Sequence, residues 1–455
     1  MRARRSLAIV LGTVLACAGV PRAASPGSPP PGSAKKQAHP VEEAVARTAE
    51  TAAREAQEFA LGAHSLGGKV LQGLINIMTA ASPGKTRVYL PAMASDPDSG
   101  TTMGFLPVFL FVDKAETIRH ILAPSVTYNR YFGVNSTMRY YWYPRPRAQF
   151  FTIGSYAEET NQRFTLRYED PAFHFDRLYF KFDYSFWRDG SYRFFGFGPS
   201  SDLGRQSNYT LKDHSIELKT GVNFLERCRL TFGQRWRSAK IVDGPITSLP
   251  RISDFFPLPP GTNRRLKTFA QRLSLSYDSR DLPQAPVEGY FADVFGESAG
   301  HAGGQVDYRR YGLEARGFHP LRANQFVTGW RFLYEGETGG ESVPFYERSL
   351  LGGKDSLRGF GVGRFIDNYK TAFSLEERIR LYTLKAFNVN IEFELTPYYE
   401  TGAVFHERDS FRFTDLHDVV GVGFRSVVRP NVVGLIDLAY GEDGSALYVG
   451  IDYPF

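Results

Sequence analysis

Residues 348–363 contain glycines and basic residues whose spacing can be compared with that of nucleotide-binding motifs. A phosphate loop needs a glycine five positions before Gly-Lys and a serine or threonine after it. Arg348 and Asp355 occupy those two positions here. Gly359, Gly361 and Gly363 are not followed by the strand–helix–strand pattern of a dinucleotide site. The segment therefore does not predict nucleotide chemistry.

Histidines are the other residues that could do chemistry. The nine histidines are scattered, and none forms the His-x-x-x-His pair of zinc sites. His301, His319 and His406 remain available for a hydrolytic set, provided that folding brings one beside a nucleophile and an acid. Their spacing does not indicate such a set, so we predict no enzymatic activity, no metal and no cofactor.

Charge and cysteine content argue against two further classes of protein. The net charge is +6, from 54 basic and 48 acidic residues, and no Lys/Arg run is long enough to predict a nucleic-acid partner. Cys17 lies in a segment that we expect to be removed on export, which leaves Cys228 alone. We therefore predict neither an internal disulfide nor a Cys-x-x-Cys metal site.

From about residue 86 onward, hydropathy alternates with period two, as expected for strands. Between Leu178 and Phe186 every second residue is apolar, and the residues between them are polar or charged. Segments of this kind recur, and several carry charges such as Lys181, Arg235 and Glu392 on the second face. Lipid outside and a wet lumen inside would produce this pattern. We predict an all-β fold, a transmembrane antiparallel β-barrel over residues 86–455, with 16 strands.

The C-terminal residues have the same alternation and end in phenylalanine. This ending resembles the assembly signal of outer-membrane barrels. An unpaired strand edge in lipid costs several kcal/mol for each backbone group. We therefore expect this segment to be the last strand, paired with the first. The assembly signal would consist of Val449, Ile451, Tyr453 and Phe455.

The N-terminal residues predict an export signal followed by a short periplasmic segment. Arg2, Arg4 and Arg5 precede a short apolar stretch, so we assign residues 1–24 to a signal peptide. Cys17 offers lipidation as an alternative. Residues 25–85 predict a linker and then a helix over 41–80. That helix either docks on the barrel, plugs its lumen or contacts a periplasmic partner.

Three segments resemble the BamA/TamA outer-membrane assembly superfamily, also described as the bacterial surface antigen domain. Residues 350–360 carry Leu-Gly-Gly followed by Leu-Arg-Gly-Phe, and residues 277–290 carry Tyr-Asp-Ser-Arg-Asp followed by Pro-Val-Glu-Gly-Tyr. The third segment is the strand-rich ending, residues 421–455. Their order and spacing cover the barrel. The segment before the barrel is too short for the family's periplasmic POTRA domains, so we expect a member without them.

The resemblance implies an extracellular loop that folds into the lumen and docks its tip on the inner wall. The tip consists of Leu357, Arg358, Gly359 and Phe360. An arginine buried there needs carboxylate partners, because an unpaired buried charge is costly. Glu376 and Glu400 have the inward phase, and we predict that Arg358 pairs with both. The alternative is that these are ordinary lumen charges.

The resemblance also implies a function at the bacterial outer membrane. We expect a barrel that assists protein insertion or translocation through a lateral seam, with lipid and unfolded outer-membrane proteins as partners. Two alternatives remain open. One is a passive or plugged channel or structural surface barrel, and the other is a scaffold that holds a periplasmic partner through residues 41–80.

Overall fold

A computed structural model describes residues 79–82, 85–113, 117–145, 147–300, 303–322, 324–386, 389–429 and 432–451. The predicted signal peptide 1–24, nearly all of the segment 25–85, Tyr453 and Phe455 lie outside these residues. No helix in the described part of the chain is long and apolar enough to cross a membrane. The one α-helix described there is α1 (Ile252–Phe255), and single 3-10 turns lie at Leu203–Arg205, Phe345–Glu347 and Phe413–Asp415.

Strands make up most of the described chain. They are β1 (Thr79–Ser82), β2 (Lys85–Asp96), β3 (Gly100–Val112), β4 (Ile118–Leu122), β5 (Ser125–Asn129), β6 (Gly133–Arg145), β7 (Ala148–Ala157), β8 (Gln162–Phe173), β9 (Leu178–Asp189), β10 (Arg193–Phe194), β11 (Ser207–Leu225), β12 (Cys228–Asp243), β13 (Leu266–Asp278), β14 (Gly289–Ala299), β15 (Tyr308–Leu321), β16 (Phe326–Thr338), β17 (Ser349–Leu351), β18 (Phe365–Asp367), β19 (Tyr369–Ala386), β20 (Val389–Phe405), β21 (His417–Val428), β22 (Val432–Gly441) and β23 (Gly444–Ile451).

Antiparallel pairing between successive long strands closes the sheet into a barrel of 18 strands. β4 and β5 share one position, because both pair with β3 on one side and with β6 on the other. β17 and β18 form a separate hairpin inside a loop, and β10 is a short addition to β11. The fold class is therefore as predicted, but the strand number is 18 rather than 16. Several turns are shorter than a 16-strand estimate assumes, such as the one between Leu225 and Cys228, so the same length of chain holds two more strands.

The two faces of the strands differ as the alternation predicts. Large apolar side chains remain exposed on the outer face, among them Ile216, Trp236 and Leu273. Charged side chains such as Lys219 and Glu217 pair with one another on the inner face. An outer face that stays apolar and exposed is suited to lipid, and a charged inner face is suited to a wet lumen.

The long connections lie together at one end of the barrel. They join β9 to β11, β12 to β13 and β16 to β19. Barrels of this kind have short periplasmic turns and longer extracellular loops, so this end is the extracellular one. The loops pack against the wall around Phe194, which stacks on Phe345 with ring centroids 4.6 Å apart.

Buried charges of a loop also bind the wall. Glu347 lies in the loop between β16 and β17, and its two carboxylate oxygens lie 2.9 Å from Arg235 Nη2 and 3.2 Å from Arg237 Nη1. Burial raises the pKa of the Glu347 carboxyl, but the two guanidiniums outweigh that effect and hold the pKa well below its usual range. The loop is therefore fixed to β12 by charges that are themselves paired.

Candidate functional site

The candidate site is the segment between β17 and β18, which lies inside the barrel against the inner wall. Its start is a tight turn in which Gly352 and Gly353 have φ of 116° and 88°. Only glycine adopts such angles without strain. At the tip, a Cβ on Gly359 would lie 2.7 Å from the backbone nitrogen of Gly441. The glycine therefore lets the tip approach the end of β22 at backbone distance.

Arg358 is the charged centre of the tip and is 1% exposed. Its Nε donates to Glu400 Oε1 at 2.9 Å, and its backbone N–H donates to Glu400 Oε2 at 2.8 Å. Nη1 donates to Asp437 Oδ2 at 2.7 Å. The guanidinium also lies over the ring of Tyr398, 3.4 Å from its centroid. Two carboxylates and an aromatic face thus compensate one buried cation.

Glu376 is placed differently from the sequence prediction. Its carboxylate binds Arg378 Nε at 2.6 Å and Arg425 Nη2 at 2.9 Å, and it makes no direct ion pair with Arg358. The reason is register, because Ser374 and not Glu376 lies opposite Glu400. Glu376 lies opposite Tyr398, whose ring is under the guanidinium.

Apolar side chains of the tip complete its attachment. Leu357 and Phe360 are both fully buried and pack in one cluster with Tyr398, Val419 and Ala439 of the wall. Phe360 also meets Phe365 edge to face, at a centroid distance of 5.1 Å. The structure therefore brings Leu357, Arg358, Gly359 and Phe360 together on β20, β21 and β22.

The segment also reaches the turn between the first two long strands. The backbone N–H of Val362 donates to Asp98 Oδ2 at 2.6 Å. On the other side, Arg364 Nε lies 2.5 Å from Asp443 Oδ2, in the turn between β22 and β23. One loop thus binds both the first and the last hairpin of the barrel.

Asp98 is an unusual partner for this loop because it is 5% exposed and its carboxylate forms no ion pair among the described residues. Arg193 reaches the residue through its backbone carbonyl, to which Nη2 donates. Burial, reinforced by the nearby carboxylate of Asp96, raises the pKa of Asp98 to about 7. The first hairpin is therefore attached by a group that titrates near neutrality.

The seam lies between β2 and β23. Among the described residues these strands share one register pair, Ser95 with Leu447. β3 occupies the other edge of β2 along its length, so β1, which pairs with Lys85 to Val88, must lie on the seam edge. The ladder between β19 and β20, by contrast, runs from Tyr369 to Ala386.

The predicted assembly signal lies on the last strand. Val449 pairs with Ile436 of β22, and Ile451 pairs with Gly434. Tyr453 and Phe455 lie outside the described residues, so their roles stay predictions. Within the part of the chain that the structure describes, no group of three or more His, Cys, Asp or Glu side chains is placed to hold a metal ion.

Sequence reasoning missed Asp437, Arg425 and Asp98. Asp437 had a signal that could have found it, since it is the one charged residue of β22 and has the inward phase of Val433 and Ala439. Arg425 also has an inward phase, opposite Glu394. Asp98 had no such signal in the sequence, because an aspartate in a turn cannot be distinguished there from any solvated turn residue.

A closed barrel with an apolar outer face and long loops folded into its lumen defines a transmembrane β-barrel of the outer-membrane type. The sequence profile of the Omp85 superfamily domain matches residues 147–441. The chain belongs to the Omp85 superfamily and is a bacterial outer-membrane protein, which confirms the resemblance and the location predicted from sequence.

Individual relatives are more distant. The outer membrane protein assembly factor BamA of Nitratidesulfovibrio vulgaris (strain Hildenborough) is 27% identical over 177 residues, which cover 36% of this chain and 21% of that protein. The chain thus matches about a fifth of the curated relative's length. The structure of BamA from Haemophilus ducreyi lacking POTRA domains 1-3 has 15% identity and a TM-score of 0.47, covering 80% of this chain and 74% of that one. CdiB from Acinetobacter baumannii has 11% identity and a TM-score of 0.42, covering 81% and 59%.

Proposed function

We propose that this barrel assists the insertion or translocation of proteins at the outer membrane through the seam between β2 and β23. The observation that carries the proposal is the single register pair, Ser95 with Leu447, between the described parts of these strands. Superfamily membership and the name of the matched relative, an assembly factor, agree with it. The client proteins and any partner are part of the proposal.

The mechanism follows from backbone hydrogen bonding in lipid. A strand edge without partners costs several kcal/mol for each unsatisfied group, so an edge inside the membrane favours pairing with an incoming strand. Addition of a strand to a sheet edge is a general mode of recognition. The edge of β2 would be the template, and β23 with its assembly signal Val449, Ile451, Tyr453 and Phe455 would move aside.

The inward loop has a separate role in this proposal. It binds the first hairpin through Val362 and Asp98 and the last hairpin through Arg364 and Asp443. Both contacts lie at the extracellular end. The loop therefore binds both sides of the closed seam, and Arg358 fixes the loop to the wall. Glu376 acts indirectly, by holding Arg378 and Arg425 in the same wall.

The remaining roles are assigned as follows. Residues 1–24 direct export, residues 25–85 form the periplasmic linker and helix, and residues 41–80 are available to a periplasmic partner. Outer-membrane lipid surrounds residues 86–455, and unfolded outer-membrane proteins are the clients. The proposal assigns no enzymatic step, cofactor or nucleic acid to the chain.

The test is a cross-link across the seam. Ser95→Cys/Leu447→Cys, in a background with Cys17→Ser and Cys228→Ser, joins the two strands when oxidised. The reconstituted wild-type chain is expected to speed the folding of an unfolded outer-membrane protein in liposomes, followed by heat-modifiable migration on a gel. Oxidation of the pair should abolish that acceleration, and reduction should restore it.

A matched pair controls for the chemistry of oxidation. Val222→Cys/Leu230→Cys joins the directly paired strands β11 and β12, away from the seam, and should leave the acceleration unchanged. A correctly folded wild-type chain that gives no acceleration over protein-free liposomes contradicts the proposal. If the seam variant is equally active when oxidised and when reduced, the lateral mechanism is contradicted, but assistance of folding is not.

The second candidate is a plugged structural barrel. The observation that favours it is the amount of loop fixed inside the lumen, by Glu347 on one side and by Arg358 on the other. A plugged barrel gives no folding acceleration and low conductance in a planar bilayer. Replacing Glu347 with Ala should then raise the conductance, because the loop loses its bond to β12.

A further inference from the structure

Four neighbouring strands, β9, β11, β12 and β13, carry cations on their outer face at one level only. On each strand, the outward positions are those in phase with an exposed apolar residue. These reference residues are Leu178 on β9, Ile216 on β11, Trp236 on β12 and Leu273 on β13. Along these positions the residues are apolar, aromatic or uncharged until the extracellular end is reached. There the four outward positions hold the residues that we call the cation row: Arg188, Lys212, Lys240 and Lys267.

Strand register places these cations side by side. Lys212 lies directly opposite Arg188 on one neighbouring strand and directly opposite Lys240 on the other. Lys267 lies opposite Ser238, two residues from Lys240 along β12. Like charges that face each other across neighbouring strands destabilise the pairing. A bound anion would remove that cost.

No carboxylate on the same strands faces the cation row. All of the acidic residues in β9, β11, β12 and β13 occupy the inward positions: Asp183, Asp189, Asp213, Glu217, Asp243 and Asp278. In the described part of the chain, the row's four residues form no ion pair, and the buried Nε of Arg188 has no hydrogen-bond partner. The lumen charges of the same strands are paired, as Arg237 is with Asp213 at 2.8 Å. The row is thus a set of cations without counter-ions.

An apolar groove lies directly beneath the row on the same outer face. Its volume is about 340 Å³, and Lys267 lines its upper side. Trp236 and Phe269 form one wall, with ring centroids 5.1 Å apart. The outer face at this level borders the hydrocarbon region, so the groove is placed to receive an acyl chain and not a soluble ion.

Two exposed cations at the extracellular end are isolated. Arg309 has the outward phase of Tyr311 on β15, opposite Ser298 and Thr338. Arg130, in the turn between β5 and β6, lies over the ring of Tyr131. Arg309 has no cation opposite it in the ladder, and Arg130 lies in a turn outside the ladders. These two residues provide a matched comparison for the row.

We propose that the cation row binds the phosphates of a lipid in the outward-facing leaflet and that the groove holds one of its acyl chains. Arginine and lysine are the side chains that bind phosphate, and basic clusters at a membrane surface attract anionic lipid. Neighbouring strands are about 4.8 Å apart, so the three strands on which Arg188, Lys212 and Lys240 face one another span about 10 Å. That width suits a glycolipid headgroup with two phosphates better than a headgroup with one.

The test is lipid binding to the purified full chain in detergent, measured by native mass spectrometry. Lipid A, with two phosphates, is titrated against the wild-type chain and against Lys212→Gln/Lys240→Gln. The double variant should bind lipid A about tenfold or more weakly, because two of the four cations are lost. The matched variant Arg130→Gln/Arg309→Gln should stay within about twofold of the wild type, because isolated cations add little to binding at the row.

Further ligands and variants separate the sources of the anion. Phosphatidylethanolamine should bind more weakly than lipid A, and inorganic pyrophosphate should not compete at equal concentration. Competition by pyrophosphate, or unchanged binding of lipid A to the double variant, overturns the proposal. Heat-modifiable migration checks that each variant folds. If the double variant does not fold, Arg188→Gln and Lys267→Gln are measured singly, and unchanged binding by both overturns the proposal.

Discussion

The inward loop is attached at two places that differ in kind. On the wall of β20 and β22, Arg358 is enclosed by two carboxylates and an aromatic ring. At the first hairpin, the backbone of Val362 meets Asp98, a buried carboxyl that forms no ion pair within the described part of the chain. The loop is therefore bound more firmly to the last strands than to the first, and its contact with the first hairpin is the weaker of the two.

Removal of the wall anchor should have the largest effect. Arg358→Ala leaves Glu400 and Asp437 as buried, uncompensated carboxylates, and breaking such a pair costs about 3–5 kcal/mol. We expect a marked fall in the temperature at which the folded gel band is lost. The double variant Glu400→Gln/Asp437→Asn in the Arg358→Ala background removes the stranded charges and should recover part of the loss. No fall in Arg358→Ala would show that the anchor does not fix the loop.

An intermediate effect should come from crowding the tip. A Cβ on Gly359 would lie 2.7 Å from the backbone nitrogen of Gly441, so Gly359→Ala forces the loop away from β22. Overpacking of this kind costs about 1–3 kcal/mol. Gly154→Ala is the matched control, because a Cβ there meets nothing within 4 Å. Equal thermal stability of the two variants would contradict the close approach.

The smallest effect should come from the first hairpin and should depend on pH. The pKa of Asp98 is raised from 3.8 to about 7, so between these values the folded state keeps a proton that the unfolded state has lost. Stability therefore falls as pH rises from about 4 to about 7. Asp98→Asn should be more stable than the wild type at pH 8 and should lose this slope. A slope that survives in Asp98→Asn would assign it to other groups.

Sequence alone could predict the barrel because its signal repeats in every strand. Alternation near Leu178, or on the strand of Glu392, fixes which face meets lipid. The contact of Arg358 with Glu400 was accessible for the same reason, since phase places Glu400 inward. Which inward carboxylate completes the pair was not accessible, because it depends on stagger between strands. The observed stagger places Asp437 in contact with Arg358 and Glu376 in contact with Arg425.

The number of strands and the contact made by Asp98 could not be predicted from the sequence, for other physical reasons. Turn length decides how many strands a given length of chain supplies, and several turns here are tighter than average spacing implies. Asp98 depends on a contact between the first turn and Val362, residues that are far apart in the chain. Such a contact leaves no periodic pattern, so only the folded arrangement reveals it.

β1 determines what an incoming strand meets at the seam. The edge of β2 is already occupied at one end by four residues of the same chain, Thr79 to Ser82. A foreign strand that claims the whole edge must displace them, so its arrival is an exchange of partners and not an addition to bare backbone. Exchange nearly conserves the number of hydrogen bonds at each step. It also protects the resting barrel from pairing edge to edge with another copy, the hazard of any open strand.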